Sequence, residues 1–259
     1  MTPLLQQYVL DHLLMGRVTH IEALELLALL PDASIDAIIT DLPYGTTQSH
    51  FDIPIPFAPM WAGVKRVLKQ HGVFVTTAAQ PFSSLLVTSN LEMFKYEWVI
   101  VKQHPKGFLD ARRKPLEAHE VALVFSEGQP RYYPQDTKRV NVKSGRKNKG
   151  GSGVYGKVGN PDYVQEVGNF PRSVLSFDWP TQDILHPNQK PVALYRYLVR
   201  TYTRPGDLVL DFCCGSATTG MACREEGRRF VLGEKDADIA ATAQARLDAP
   251  YTLPMFGAA

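Results

Sequence analysis

Two short segments carry residues whose types and spacing suit chemistry. In the first, Asp41, Leu42, Pro43 and Tyr44 follow the β-rich run Ser34 to Thr40. A strand ending there sets an acceptor carboxylate, backbone carbonyls, a proline of fixed φ and an aromatic ring at a carboxyl end of a sheet, where ligands bind in open α/β folds. This set suits a planar amine, whose N–H groups the oxygens accept and whose face the ring covers. The same four residues equally suit a strand that ends in a proline turn with Tyr44 packed on the surface. In the second segment, Asp211 to Gly220 reads as a strand end, a turn of small residues and a helix that starts at Thr218 and Thr219. Small residues let backbone approach a ligand closely, and a helix start presents free N–H groups. Glu234 ends the next strand, about twenty residues on, where an acid bonds ribose hydroxyls in doubly wound folds. The geometry is of nucleotide type without the G-x-G-x-x-G spacing. A dinucleotide stays open, and so does a plain βα turn with an incidental acid.

These segments must be positioned by alternating strands and helices. Arg17 to Ile21 and Ser34 to Thr40 read as strands, with a helix from Ala23 to Leu30 between them that Pro31 stops. A loop from Gly45 to Pro56 follows. Phe57, Met60, Trp61, Val64, Val67 and Leu68 then recur at helical spacing. His71 and Gly72 are expected to end that helix before a buried strand at Val73 to Thr76. Further strands are expected at Glu97–Lys102 and Glu120–Phe125. After residue 183 the pattern returns: a helical face of Val192, Tyr195, Leu198, Val199 and Tyr202, strands Leu208–Asp211 and Arg228–Gly233, and a helix from Asp236 to Leu247. Alternation of this kind predicts an α/β fold, a mainly parallel sheet with helices on both faces. Trp61 and Trp98 fall on apolar faces and read as core.

Composition agrees and excludes other classes. The 259 residues are 44% apolar and 21% charged, ordinary for a globular chain. No run approaches 18 uncharged apolar residues, and the first residues lack a basic, apolar leader, so a soluble cytoplasmic protein with no membrane partner is expected. Cys213, Cys214 and Cys223 are odd in number, two of them adjacent, and match neither a disulfide framework nor zinc spacing; no metal is expected. His119-Glu120 starts like a zinc-protease motif, but position 123 is Leu123. Gly151 to Gly156 matches G-x-G-x-x-G letter for letter, yet follows a basic loop and not a strand, so it is not read as a nucleotide site.

Charge is uneven. Net charge is +2, but residues 138–157 hold Lys138, Arg139, Lys143, Arg146, Lys147, Lys149 and Lys157 and no acid, leaving −5 for the remainder. A concentrated basic stretch in a glycine-rich, aperiodic region reads as a phosphate-facing arm. The expected organisation is 1–126, an insertion at 127–183, and 184–259.

Taken together, the motifs resemble those of the β group of DNA amino-methyltransferases, which modify exocyclic amines of DNA bases with S-adenosylmethionine. Asp41-Leu42-Pro43-Tyr44 is similar to their D-P-P-Y catalytic motif, Asp211 to Gly220 to their D-P-F-A-G-S-G-T-T-G cofactor loop, and His186-Pro187-Asn188-Gln189-Lys190-Pro191 to their H-P-T-Q-K-P segment. The order places the catalytic half first, and the likeness runs from about Ile21 to Leu247. It implies a Rossmann-like methyltransferase fold, catalysis by Asp41, Leu42, Pro43 and Tyr44, and target recognition by the insertion. Cofactor contacts are implied for Asp41, His186, Asn188, Gln189, Lys190, Asp211, Phe212, Cys213, Gly215, Ser216, Thr218, Thr219 and Glu234. Such a sheet needs a third cofactor strand, and too little chain follows Glu234 to make one. The strand Arg17–Ile21 is expected in that slot, which makes Glu22 a candidate for the cofactor's adenine amine.

The aspartate form of the catalytic motif, with Gly107-Phe108-Leu109 through Lys114-Pro115-Leu116 and His119-Glu120, resembles the adenine-modifying members. Site-specific N6 methylation of a flipped adenine by direct displacement is expected, with cytosine N4, RNA or an inactive DNA-binding protein as the alternatives. Double-stranded DNA is the implied partner; a homodimer and a companion restriction endonuclease are further partners the family admits. A bacterial or phage origin is implied. Leu42 replaces a proline whose carbonyl the family uses, so leucine serves. Cys213 replaces an aromatic and Ala217 a glycine in the cofactor loop, and the expectation is weaker cofactor binding, or a shifted pose with Phe212 compensating.

Overall fold

The computed structural model describes residues 1–46, 52–145, 162–179 and 189–250, with the backbone alone at 142–145 and 162–164. The elements in chain order are α1 (Pro3–Val9), β1 (Val18–His20), α2 (Ala23–Leu29), β2 (Ile35–Asp41), α3 (Phe57–Val67), β3 (Leu68–Ala78), α4 (Phe82–Ser89), β4 (Phe94–Lys106), β5 (Glu117–Phe125), β6 (Lys138–Gly145), β7 (Asp162–Gly168), β8 (Val174–Ser176), α5 (Val192–Tyr202), β9 (Leu208–Asp211), α6 (Thr218–Glu225), β10 (Arg229–Glu234) and α7 (Ala237–Asp248). Chain packing gathers them into two compact units, Met1–Tyr133 with Ser173–Ala259, and Pro134–Arg172. Residues 127–133 and 173–179, assigned to the insertion from sequence, thus fall in the first unit.

In the first unit, eight strands among the described residues form one sheet in the order β1, β10, β9, β2, β3, β5, β4, β8. β5 is antiparallel to both of its neighbours, and the other pairings are parallel. The mainly parallel sheet is therefore as expected, and β1 lies beyond β10 in the slot that strand accounting reserved for it.

Alternation along the strands explains why both faces are covered. On β2, Ile35 and Ile38 join α2, α3 and α4 in one apolar cluster, while Ala37 and Ile39 join α5, α6 and α7 in the other. Helix periodicity does the complementary work, burying Met60, Trp61, Val64 and Val67 of α3. Trp61 and Trp98 are core residues, their indole N–H groups bonded to Ser89 at 2.8 Å and Tyr202 at 2.6 Å. At the base of the sheet, buried Asp36 accepts from Lys69 at 2.7 Å, Arg131 at 3.0 Å and the Leu208 amide at 3.0 Å. These contacts lock β2, β3 and β9 together at the end away from the site, and outweigh burial to hold the Asp36 carboxyl below its usual range.

One boundary differs from its expectation. α3 stops at Val67, and residues 68–72 open strand β3. Leu68 pairs with Ile35, after which the register jumps so that Val73 faces Ala37. His71 takes φ 64 within this irregular stretch. Helical spacing through Leu68 concealed the change, because one residue can close a helical face and open a strand.

The second unit contains the antiparallel pair β6 and β7. The Asn169 amide donates to the Asp136 carbonyl at 2.7 Å, and both residues sit at positive φ. Lys138 and Arg139 are exposed on β6. Of Lys143 only the backbone is described; Arg146, Lys147, Lys149, Lys157 and the Gly151–Gly156 motif lie outside the described residues.

Candidate active site

The chain order reverses between β9 and β2. From β9 the chain proceeds through α6 to β10 on one side, and from β2 through α3 to β3 on the other. Ligands of open α/β sheets bind at such a switch point, beyond the carboxyl ends of the strands. Asp41 ends β2 and Asp211 ends β9, and a cleft of about 840 Å³ opens above them.

On the β2 side, Asp41 is held from three directions. Its Oδ1 accepts from the Tyr44 hydroxyl at 2.9 Å and from the Thr77 hydroxyl. Its Oδ2 lies 3.5 Å from Lys190 Nζ. A carboxylate has about four acceptor positions, so capacity remains for an incoming amine. The Tyr44 ring lies on Phe82, 5.0 Å between centroids at 19°. Burial pushes the Tyr44 hydroxyl pKa well up, so Tyr44 stays a neutral donor.

Lys190 is buried, and Glu120 accepts from it at 2.8 Å; Lys102 lies 4.0 Å from the same Glu120 oxygen. Burial alone would favour neutral Lys190, but Asp41 and Glu120 outweigh it and raise its pKa, so it remains a cation beside Asp41. Glu120 Oε1 is buried with no hydrogen-bond partner among the described residues.

On the β9 side, Asp211 organises the turn. It accepts from Thr40 at 2.6 Å, Thr219 at 2.5 Å and the Cys213 amide at 3.0 Å, and burial nevertheless raises its pKa to about 7. These bonds tie β2, the turn and the start of α6 to one carboxylate. Ala217, where the resembled pattern has glycine, takes φ 59 as the residue capping α6. That left-handed conformation costs a residue with a Cβ about 1–2 kcal/mol. Glu234 accepts from the amides of Gly215 and Asp236, each at 3.0 Å. It is thereby aimed along the cleft with acceptor positions to spare. Glu22 lines the cleft from the start of α2, with no capping bond from its side chain.

Residues 35–245 match the N6/N4 DNA methylase family. The chain belongs to that family. The methylase is 28% identical over 254 residues to DNA adenine methyltransferase YhdJ of Escherichia coli (strain K12), covering 89% of this chain and 82% of that protein. Two solved structures share its fold. PvuII DNA methyltransferase (cytosine-N4-specific) matches with TM-score 0.65 and 17% identity over 91% of this chain and 87% of that one. M1.HpyAVI in complex with SAM matches with TM-score 0.58 and 24% identity over 90% and 98%. S-adenosylmethionine is the methyl donor of the family, and the donor set of the methylase fits it. Glu234 and Glu22 offer carboxylates for hydroxyl and amine groups, the Gly215 turn offers close backbone, and Leu24, Phe212 and Ile239 offer apolar walls. No described helix is long and apolar enough to cross a membrane.

The structure brings most of the sequence-predicted residues of the methylase to this one cleft. Asp41, Leu42, Pro43, Tyr44, Glu22, Gln189, Lys190, Asp211, Phe212, Cys213, Gly215, Ser216, Thr218, Thr219 and Glu234 all line it. His186 and Asn188 lie outside the described residues. Phe212 is 1% exposed and its ring is parallel to Phe74 at 6.3 Å, which anchors it in the core. Lys190, expected among the cofactor contacts, sits against Asp41 and Glu120. Burial raises the pKa of the Cys213, Cys214 and Cys223 thiols, which suits structural thiols.

Sequence reasoning did not single out Thr77, Phe82 or Lys102, and it placed Glu120 only within a stretch resembling the adenine-modifying members, without a role at the site. For Glu120 a signal existed, a carboxylate opening an otherwise apolar strand. A buried charge needs a partner, but the partner lies 70 residues away in sequence. Phe82 and Thr77 carried no local signal.

Proposed function

We propose that this methylase transfers a methyl group from S-adenosylmethionine to the exocyclic N6 amine of an adenine in double-stranded DNA, at a specific site. The observation that carries this reading is a single cleft in which Asp41, clamped by Thr77 and Lys190, faces the Asp211 turn and Glu234. The adenine assignment draws on the aspartate at the head of the catalytic tetrapeptide and on the likeness to YhdJ.

The base must leave the duplex to reach Asp41, at a cost of a few kcal/mol. Tyr44, backed by Phe82, offers its ring as a stacking surface, worth roughly 1–3 kcal/mol. Asp41 and the Leu42 carbonyl accept the two N–H groups of the amine. Those bonds draw the nitrogen lone pair out of conjugation with the ring and aim it into the cleft. S-adenosylmethionine, when bound, supplies an electrophilic methyl group on its sulfonium. The methylated nitrogen carries one proton too many, and Asp41 is the base within its reach. Lys190, held protonated by Asp41 and Glu120, keeps the Asp41 carboxylate in place without competing for that proton. Positioning and fixed charge do the work. Glu234 and Glu22 hold the donor's ribose and adenine groups, and Lys138 and Arg139 contact phosphates.

The test incubates the protein with labelled S-adenosylmethionine and unmethylated genomic DNA, then identifies the labelled nucleoside. N6-methyladenine is the expected product. Asp41→Ala should lower transfer at least about 1,000-fold. N4-methylcytosine would overturn the base assignment. Label in RNA alone, or donor binding without transfer, would overturn the reaction on DNA.

A further inference from the structure

The hairpin joining β4 and β5 runs beyond the core. Residues 103–106 and 117–119 are exposed on both strands, and the ladder resumes at Lys106 opposite Glu117 after an irregular stretch. The tip is nonetheless built. Gly107 takes φ 87, and a short 3-10 turn spans Phe108–Asp110. Backbone N–H groups of Asp110, Ala111, Arg113 and Lys114 donate back across the turn, the longest at 3.2 Å. Lys114 pairs with Glu117 at 2.8 Å. This ordered turn presents Phe108, 79% exposed, and Leu109, fully exposed, next to one another. Large apolar side chains held in water on an ordered element mark an interaction site.

Position and charge identify the occupant. Lys106, Lys114 and Glu117 at the root of the tip line the same cleft as Asp41. Between residues 106 and 117 the chain carries four basic and two acidic residues. A base entering the cleft leaves a gap in its stack near this mouth, between two lines of phosphates. Two apolar side chains flanked by cations match that gap. They are too few for a stable protein interface, which buries about 800 Å² on each partner. Apolar wedges inserted between base steps, with basic residues beside them, are an established way to hold a duplex open.

We infer that Phe108 and Leu109 form a wedge that enters the duplex at the cleft mouth and fills the space vacated by the target base, with Lys106, Arg112 and Arg113 on the adjoining phosphates. The inference rests on the reading of the cleft as a site for a base turned out of DNA.

The experiment first locates the bases that the full chain methylates in genomic DNA and builds that site into two duplexes. In one the target base is paired; in the other it faces an abasic position and is already unpaired. The doubly substituted Phe108→Ala, Leu109→Ala protein should lose about 10- to 100-fold in kcat/KM on the paired duplex, since the opening cost is a few kcal/mol. It should lose less than about threefold on the abasic duplex, and Phe108→Trp should retain activity on both. Donor binding at the wild-type constant confirms that the variant is folded. Equal losses on both duplexes, or none on the paired one, would overturn the wedge alone. A dimer that the double substitution turns into a monomer would assign the tip to a second copy and overturn it as well. Wild-type protein that methylates no DNA would overturn the functional reading and the wedge with it.

Discussion

At the residue scale, the site depends on charges that fix one another. Asp41 faces Lys190, Lys190 binds Glu120, and Glu120 in turn lies near Lys102. On the proposed function Glu120 is a positioning residue, acting on the reaction through the Lys190 it holds. Removing its charge withdraws one of the two anions that hold the Lys190 pKa up, so Lys190 should release its proton at lower pH. Glu120→Gln is therefore expected to move the alkaline limb of the rate–pH profile to lower pH and to lower kcat by about tenfold, the size of one weakened charged hydrogen bond. The donor's dissociation constant should stay within about threefold. Rate–pH profiles of both proteins with donor titrations check this; an unmoved limb would remove Glu120 from the positioning role. Asp211 behaves differently. Three donors converge on it, yet burial keeps its pKa near 7, which marks it as an organiser of the turn.

At the element scale, the close approach of α2 to β10 carries Glu22 to the cleft. A Cβ on Gly233 would come within 2.5 Å of Leu26 Cδ2 and 3.3 Å of Ile21 Cγ2. Leu26 is fully buried and has nowhere to move. The Gly233 carbonyl also accepts from the Cys214 amide at 2.9 Å, which links β10 to the cofactor turn. Gly233→Ala is expected to lower unfolding stability by about 1–3 kcal/mol through overpacking, and to weaken donor binding by displacing the start of α2. Urea unfolding and donor titration would measure the two effects; donor binding unchanged in a destabilised variant would detach Glu22 from the cofactor. Ala217 is a related case, since the left-handed position it occupies is the one that favours glycine.

At the scale of the whole molecule, the proposed function assigns the long-range part of DNA binding to the basic stretch that begins at Lys138 and Arg139. The log of the binding constant falls with the log of salt concentration by about 0.9 per phosphate neutralised. Lys138→Gln with Arg139→Gln should reduce that slope by up to about 2, with a similar effect on unrelated sequences, because phosphate contacts position without specifying. Binding isotherms at several salt concentrations test this. An unchanged slope would show that Lys138 and Arg139 stay in solvent.

Much of this protein was legible along the chain, for identifiable reasons. Period-two and helical spacing set the strands and helices, because burial on both faces of a parallel sheet demands apolar residues at those intervals. The switch-point acids Asp41 and Asp211 stood out because each closes an apolar run. Glu22 was found by counting strands, and β1 beside β10 is the pairing that count required. Local spacing misled at Leu68, where the helix yields to a strand without any change of pattern. What only the tertiary structure decided is which distant residues meet. Thr77 and Lys190 reach Asp41 from positions 36 and 149 residues away, and Glu120 finds Lys190 across 70 residues. Phe108 and Leu109 stood out along the chain only as part of a stretch resembling the adenine-modifying members, and nothing local showed that both side chains are exposed. A side chain's burial and partners depend on where its strand lies in the sheet and how far its hairpin extends past the core, and neither is written in the neighbouring residues.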